Sequence, residues 1–459
     1  MSYEYFCNNL ENNYKNVTII RPGDSLYDDA RQVYNRMHDL YPLIIIRTMN
    51  RLALKEIISF ATLNDIELAI RGGGHHIAGF GSTQGGILLD LSPYNDIIID
   101  EANQIVRISP GARLSDVDLA LCPRGYVIPT GTVSDTGIAG LTLGGGIGWL
   151  LGTHGFTCEN LVGADVLLAT GVVVKAEDPG NEDLLWSLRG GGGNFGIVLE
   201  FRFQLSKLPE VYCGTIDIPD KHIETSLSKL IAYLENHCPM NLVVAPFLQH
   251  DKSNGESRLS IDFCLSDSND QSELYTLEDH LGPLIKHTFL TDDFVLWQSW
   301  SDDRFSQPMR GYWKSICLDV MEHDVAHRLL DCIKNAPGQN CSITIEHLNP
   351  SNRKCKPAES ALPITTKSFG ILFSARWPSA GDDQTNICWV KDSSTSLADN
   401  RKFSSYSNYT LNEDKNSKSI FSDNGRLIRA KKKYDPNNLF RRNHNILAKP
   451  TSEQRSDIS

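Results

Sequence analysis

The sequence predicts an α+β fold in two domains, and three observations carry that expectation. At 459 residues the chain exceeds the size at which a single hydrophobic core stops growing. Near the N-terminus a β-α-β pattern feeds straight into a glycine-rich turn. After about Pro209 glycine thins out and long alternating segments take over, the pattern of an antiparallel sheet backed by helices.

Taken in order, Leu26, Ala30, Val33, Met37 and Leu40 recur at helical spacing after Ser25, and Pro42 ends the run. Leu43–Ile46 reads as a buried strand, Leu52–Leu63 as a helix and Glu67–Ile70 as a second strand. Ile87–Leu91, Ile97–Ile99 and Ile105–Ile108 continue as strands, and Leu114–Leu121 as a helix. Val166–Leu168 and Val172–Val174 form a hairpin around Thr170–Gly171. A further helix ends at Leu188. In the second half Arg258–Leu265, Ser342–His347 and Phe369–Trp377 read as strands, and Ile223–Leu234 and Val325–Ile333 as helices. Ser/Asn-rich Asp392–Asn408 reads as a loop returning to the first domain. Arg426–Arg442, with Lys431, Lys432 and Lys433 in series, reads as a solvated helix face, and Thr451–Ser459 as a disordered polar tail.

Composition narrows the function. Lys+Arg 44 against Asp+Glu 56 leaves a net charge of −12, without the basic footprint that nucleic-acid binding needs. Eleven cysteines without a Cys-x-x-Cys pair fit reduced thiols better than a disulfide framework or structural zinc. His154 and Cys158 stand four apart but lack a third ligand, so no metal is expected. The N-terminus has neither a basic nor an apolar signal region, and no run approaches 18 apolar residues. A cytoplasmic protein without membrane partners, monomeric or homodimeric, is the expectation.

Three glycine-rich stretches carry the chemistry. Ile70–Gly86 (IRGGGHHIAGFGSTQGG) closes a strand with an arginine, three glycines and two histidines. Three successive residues without Cβ expose backbone N–H groups to an anion, and Arg71 adds a planar charged donor. Thr130–Gly148 interleaves small polar residues with glycines too dense for a helix or an ordinary strand, yet carries Ile138, Leu141 and Leu143, as a loop buried against a flat ligand would. Asp183–Phe201 repeats the arginine-plus-glycine composition at Arg189–Gly193. A phosphate cradle beside an imidazole points to a nucleotide cofactor. No Gly-x-Gly-x-x-Gly follows the first strand with an acidic residue some 20 positions on, no Walker-type Gly-Lys-Ser/Thr occurs, and there is no Gly-x-Ser-x-Gly elbow.

Together RGGGH (Arg71–His75), GTVSDTGIAGLTLGGGIGWL (Gly131–Leu150), LLWSLRGGGGNFGIV (Leu184–Val198), YSNY (Tyr406–Tyr409) and KKKYDPNNLFRRNHNI (Lys431–Ile446) resemble a known family. It is the berberine bridge enzyme-like branch of the FAD-linked vanillyl-alcohol oxidase/p-cresol methylhydroxylase (PCMH) superfamily, in particular its bacterial members. The resemblance implies an FAD-binding PCMH-type domain over 1–207 (core about 38–207), a substrate domain over 208–404, and a closing segment over 405–450 that completes the FAD domain, ahead of the 451–459 tail. It implies FAD held by Arg71, Gly72, Gly73, Gly74, His75, His76, Gly79, Asp90 and Leu91. The middle stretch adds Thr130, Gly131, Thr132, Val133, Thr136, Gly137, Gly140, Leu141, Gly144, Gly145 and Gly148; Gly196, Val198 and Asn408 complete the set. His75 is the place of the covalent bond to the flavin ring methyl, with His76 a neighbour that polarises it. Val133 stands where many plant relatives have a second, cysteine tether, and Cys158 lies too far along to replace it, so a single tether is implied. Thr136 stands near the place associated with oxygen access.

For catalysis the resemblance implies Tyr409 as base, Asn408 orienting it or touching the flavin, and Tyr406 lining the pocket. A phenol with an ordinary pKa near ~10 needs a nearby cation or donor to act at neutral pH. The implied activity is an oxidase moving a hydride from an alcohol, sugar or specialised metabolite to FAD and then to oxygen. A flavin dehydrogenase with another acceptor and a flavin-loaded binding protein are the alternatives. The family's Gly-Gly-Ala turn and Ala-Phe-x-His-Arg segment are replaced here by Asn349-Pro350-Ser351 and Ala361-Leu362-Pro363-Ile364-Thr365, so the substrate sheet is remodelled.

Overall fold

The computed structural model describes residues 3–446 apart from 252–253, 269–270, 283–285, 306, 349–358, 399–403, 412–420 and 422. The expected tail at Thr451–Ser459 and the Asn349-Pro350-Ser351 departure lie outside the described residues.

β1 (Thr18–Ile20), β2 (Ile44–Arg47), β3 (Leu68–Arg71) and β4 (Ile87–Asp90) form one sheet in the order β1-β2-β4-β3. β2 and β3 both run parallel to β4, and helix Arg51–Leu63 links β2 to β3. The apolar runs Ile44-Ile45-Ile46 and Ile87-Leu88-Leu89 are wholly buried, as in a sheet covered on both faces.

β5 (Ile97–Asp100), β6 (Ile105–Ile108), β7 (Tyr126–Val127), β8 (Leu161–Leu167), β9 (Val173–Lys175), β10 (Ile197–Gln204) and β11 (Ser206–Lys207) follow. Five of them make an antiparallel sheet, β5-β6-β10-β8-β9, while β7 pairs with β11. The turns after β3 and before β10 are two of the three glycine stretches.

The second half is a seven-stranded antiparallel sheet. β12 (Val211–Ile218), β13 (Leu242–Asp251), β14 (Glu256–Ser266), β15 (Lys286–Thr291), β16 (Arg310–Leu318), β17 (Cys341–His347) and β18 (Phe369–Trp377) are ordered β15-β12-β14-β13-β17-β18-β16. Helices Ile223–Asn236, Val325–Lys334 and Asp383–Ala398 cover one face, burying Leu227, Leu329 and Val390 with Ile261, Ile343 and Phe373. Because side chains alternate along a strand, Ile343 and Ile345 enter that core while Thr344 and Glu346 face the first half of the chain. This alternation supplies the site with its second wall.

The chain then returns. Helix Asn424–Tyr434 buries Leu427, Ala430 and Tyr434 against Leu184, Leu188 and Phe195.

Four expectations are corrected. The helix expected over Leu26–Leu40 is only Tyr27–Arg31, because the residues beyond are drawn into long-range bonds. The Asn35 side chain donates to Ile77 O and Gly311 O, and Arg36 N to Met309 O, and these contacts override helical spacing. The middle glycine stretch does contain a helix, Ile138–Gly144, whose Ile138 and Ala139 are anchored in the core. Helix Asp383–Ala398 covers the first part of the expected loop at Asp392–Asn408; its serines bond back to their own helix, Ser394 Oγ to Lys391 O at 3.0 Å. Finally, Lys431 is no solvated side chain. It is completely buried, donating to Asp435 Oδ2 (2.6 Å), Asn194 O (2.7 Å) and Phe440 O (3.0 Å).

Candidate active site and cofactor cradle

A cavity of about 360 Å³ lies between the glycine-rich turns and the open face of the seven-stranded sheet. Its first wall is backbone: Gly72, Gly73 and Gly74 after β3; Gly131, Gly137, Gly140, Gly144 and Gly148 from the middle stretch; and Gly192, Gly193 and Gly196 before β10. Leu91, Thr132, Val133, Thr136, Leu141 and Val198 complete it. Two glycine positions show why side chains are excluded. Gly73 and Gly137 approach so closely that a Cβ on either would strike the other's backbone. Gly74 has φ +71°, a conformation that favours glycine.

Four expected cofactor residues are not on this wall. Gly79 packs over the His38 ring, and Gly145 against Tyr406 and Leu362. The Thr130 hydroxyl accepts from Gln298 Nε2 at 2.6 Å. Asp90 is fully buried, taking Arg47 Nε at 2.8 Å and Arg71 Nη2 at 2.8 Å. Burial works against its charge, yet the hydrogen bonds from Arg71, Ser92 and Arg47 bring its pKa down to about 2.

Arg71 itself reaches the cavity, but its guanidinium is committed elsewhere. It bonds Asp90, Gln32 O (3.0 Å) and Ala30 O (2.5 Å), so it braces the turn rather than presenting a free fork to a phosphate.

His75 lines the cavity with its ring stacked on Tyr34, centroids 4.2 Å apart. Its Nε2 lies 2.8 Å from Asp135 Oδ1, a close contact not aligned as a hydrogen bond. The Asp135 side chain is half exposed; the desolvation it does suffer works against its charge, but its contact with His75 leaves its pKa below the usual range. His76 does not polarise His75 as expected. It turns to Ser407 O (3.2 Å), accepts from Ala78 N (3.1 Å) and packs by Phe80 and His444. Burial and the neighbouring His444 push its pKa down to about 3, leaving a neutral imidazole.

The Tyr406–Tyr409 element enters as a 3-10 turn, Ser407–Tyr409, against the opposite side of the cavity. Tyr406 is buried; its hydroxyl accepts from Gly146 N (2.6 Å) and from Asn408 Nδ2 (3.0 Å). Asn408 also donates to Leu141 O (3.2 Å), so it fixes Tyr406 to the glycine stretch and does not orient Tyr409. Among the described residues no cation stands beside Tyr409. Its hydroxyl donates to Glu346 Oε1 at 2.9 Å. Burial, then the Glu346 charge, raise the phenol well above its ordinary value, while burial pushes the Glu346 carboxyl up to about 7. Glu346, Asp135 and Tyr34 went unnoticed in the sequence. The alternation over Ser342–His347 places an acid on a strand's non-core face, and Asp135 sits within the middle motif, so both left a signal.

The two chain ends carry matches to family models, an FAD binding domain over residues 42–177 and a berberine and berberine-like domain over 405–447. The chain thus carries the FAD binding domain and the closing domain of berberine bridge enzyme-like FAD-linked oxidoreductases. An FAD-linked oxidoreductase of Dictyostelium discoideum is 28% identical to this one over 96% of each chain. The solved structure of Physcomitrella patens BBE-like 1 superposes with a TM-score of 0.84 at 20% identity, covering 96% of this chain and 98% of that one. The glucooligosaccharide oxidase of Acremonium strictum, with its 6-S-cysteinyl, 8α-N1-histidyl FAD, superposes at 0.83 with 21% identity over 94% and 98%. This berberine bridge enzyme-like chain is thus an FAD-linked oxidoreductase with the PCMH-type architecture.

The residues present fit the cofactor. Gly140 and Gly193 face open space where a Cβ would stand, so the wall is smooth enough for a flat ring system. Gly72, Gly73 and Gly74 bring bare backbone to the cavity, as a pyrophosphate requires. Among the described residues no helix is long and apolar enough to cross a membrane.

Proposed function

We propose that this enzyme is an oxidase, taking a hydride from an alcohol, sugar or specialised metabolite to FAD attached through His75 alone, with oxygen as acceptor and hydrogen peroxide as product. The observation that carries the reading is the Tyr409–Glu346 pair in the same cavity as His75. We read residues 1–207 with 405–450 as the cofactor unit and 208–404 as the substrate unit, and the cavity joins walls from both.

FAD, when bound, supplies the hydride acceptor. The chain supplies the proton path. A substrate hydroxyl proton passes to Tyr409 Oη as the phenolic proton passes to Glu346 Oε1, so the phenol never has to ionise alone. A carboxyl near 7 is matched to accept a proton at neutral pH, and such general-base help contributes roughly 10²–10⁴-fold. Asn408 and Gly146 hold Tyr406 against Tyr409, their rings perpendicular at 4.8 Å.

At the other end Asp135 Oδ1, 2.8 Å from His75 Nε2, favours the ring proton on that nitrogen and so leaves the lone pair on Nδ1 as the nucleophile for the tether. Val133 lines the cavity, whereas Cys158 is buried among Leu151 and Phe156 outside it, which supports one tether rather than two. Thr136 presents a short side chain on the wall, which favours oxygen access.

The test is an anaerobic panel of alcohols and sugars followed at the flavin's visible band, with oxygen then readmitted. The reading expects bleaching by at least one compound and stoichiometric peroxide on reoxidation. A reduced flavin reoxidised by quinones or dyes but not by oxygen overturns the oxidase assignment.

A further inference from the structure

One short helix of the substrate unit, Asp302–Phe305, holds both neighbours of the His75 imidazole. Two side chains set the direction of that ring. It stacks on Tyr34, centroids 4.2 Å apart, and its Nε2 meets Asp135 Oδ1 at 2.8 Å without an aligned hydrogen bond. Its placement therefore follows from where Tyr34 and Asp135 are held.

Tyr34 is anchored at both ends. Its backbone N–H donates to Gly74 O (3.1 Å) in the glycine turn, and its hydroxyl donates to Phe305 O (2.7 Å) in the substrate unit. Burial pushes the phenol up to about 12, so it stays a donor at neutral pH. Asp135 is held through the residue before it. The Ser134 N–H donates to Asp302 Oδ1 (2.8 Å) and its hydroxyl to Asp302 Oδ2, while its carbonyl accepts from Ser115 N (2.9 Å). Arg113 Nη1 donates to Asp135 O and to Gly73 O (2.9 Å). The Asp135 side chain is half exposed, so its backbone rather than packing seats it.

The helix in turn is fastened to the seven-stranded sheet. Arg376 on β18 donates to Arg304 O and to Gln307 O (2.7 Å), and Arg304 pairs with the buried Asp262 on β14. Just ahead of the helix, Gln298 Nε2 donates to Thr130 Oγ1 (2.6 Å), where the same glycine stretch begins. A shift of the sheet against the glycine turns would move Tyr34 and Asp135 together. Misplacing a reacting group by about 1 Å can cost roughly 10²-fold in rate.

Given the proposed attachment at His75, on which this rests, we propose that Asp302 and the Phe305 carbonyl position the His75 imidazole, so that attachment of the flavin requires the substrate unit in place. Asp302 is off the cavity wall and acts through Ser134 and Asp135, as a positioning residue. In attachment a bond forms from His75 Nδ1 to the ring-methyl carbon and one C–H of that methyl breaks. The methyl proton and the imidazole N–H proton leave with the electron pair of that C–H to oxygen, as hydrogen peroxide.

The test compares purified full-length variants by total bound flavin, by the share of it that stays with acid-precipitated protein, and by melting temperature. In Asp302→Ala the share should fall about fivefold or more while total flavin stays within about twofold. Asp302→Asn, whose amide can still pair with the Ser134 N–H and hydroxyl, should restore the share. Asp303→Ala, at the exposed next position, should leave it unchanged. Tyr34→Phe keeps the stacked ring, loses the bond to Phe305 O and should lower the share about twofold. An Asp302→Ala share equal to that of the unmodified chain overturns the proposal and leaves the His75 attachment standing. An unmodified chain without acid-stable flavin overturns the attachment itself. An Asp302→Asn share as low as that of Asp302→Ala overturns placement by hydrogen bonds. Should Asp302→Ala not fold, Tyr34→Phe decides: an unchanged share overturns the proposal, and a lowered share at normal melting temperature supports it.

Discussion

The hydroxyl of Tyr409 donates to Glu346 Oε1 across 2.9 Å, joining a residue from the C-terminal turn to one on β17. Neither group is poised to do chemistry alone, since the phenol is raised well above its ordinary value and the carboxyl is raised to about 7. As a relay they form a base suited to neutral pH. Below about 7 Glu346 is protonated and cannot receive the proton, so flavin reduction should fall as pH drops through that value and level off above it. Glu346→Gln should load FAD normally, slow reduction by roughly 10²-fold or more and abolish that limb of the profile. Stopped-flow reduction across pH checks this, and an unaltered limb in the variant would remove Glu346 from the relay.

Tyr409→Phe should likewise retain the cofactor and slow reduction roughly 10²-fold or more. Tyr406→Phe keeps the ring but loses the hydroxyl that Gly146 N and Asn408 address, so its main effect should be on thermal stability and flavin environment. Comparing reduction rate with melting temperature in the two variants separates proton transfer from positioning.

Much of the fold was legible in the sequence where local pattern and burial agree. Leu114–Leu121, Glu182–Leu188 and Phe369–Trp377 formed where periodicity places them, because the apolar positions that predict each element are the ones it buries. Legibility failed where distant contacts decide. Leu26–Leu40 has helical spacing, but Asn35 and Arg36 are claimed by residues some 270 positions away. Lys431 reads as solvated because nothing local reveals that Asp435, Asn194 and Phe440 enclose it. At the site the glycines announced themselves, since bare backbone is written in the sequence. The partners of Arg71 and Tyr409 did not, because Asp90 and Glu346 are brought to them by sheet register and domain packing.

The Lys431–Asp435 pair should matter for stability. Burial lowers the Lys431 pKa, and Asp435 also accepts from Leu439 N (2.9 Å) and Phe440 N (2.8 Å), so the pair organises the returning segment. Removing one partner strands a buried charge, at a cost of about 3–5 kcal/mol. Asp435→Ala should lower the urea midpoint substantially, whereas Lys432→Ala, on the next and exposed position, should leave it nearly unchanged.

Asp135 is expected to control tether formation rather than turnover. Asp135→Ala removes the contact at His75 Nε2, so a smaller fraction of the purified protein should retain flavin after acid precipitation. Retention equal to the unmodified chain would show that His75 needs no such partner.

The most direct measurement is peptide mapping by mass after denaturation and proteolysis. The account predicts one FAD increment on the peptide containing His75, no flavin on peptides containing Val133 or Cys158, and complete loss of the increment in His75→Ala. An unmodified His75 peptide, or a flavin carried elsewhere on the chain, would contradict it.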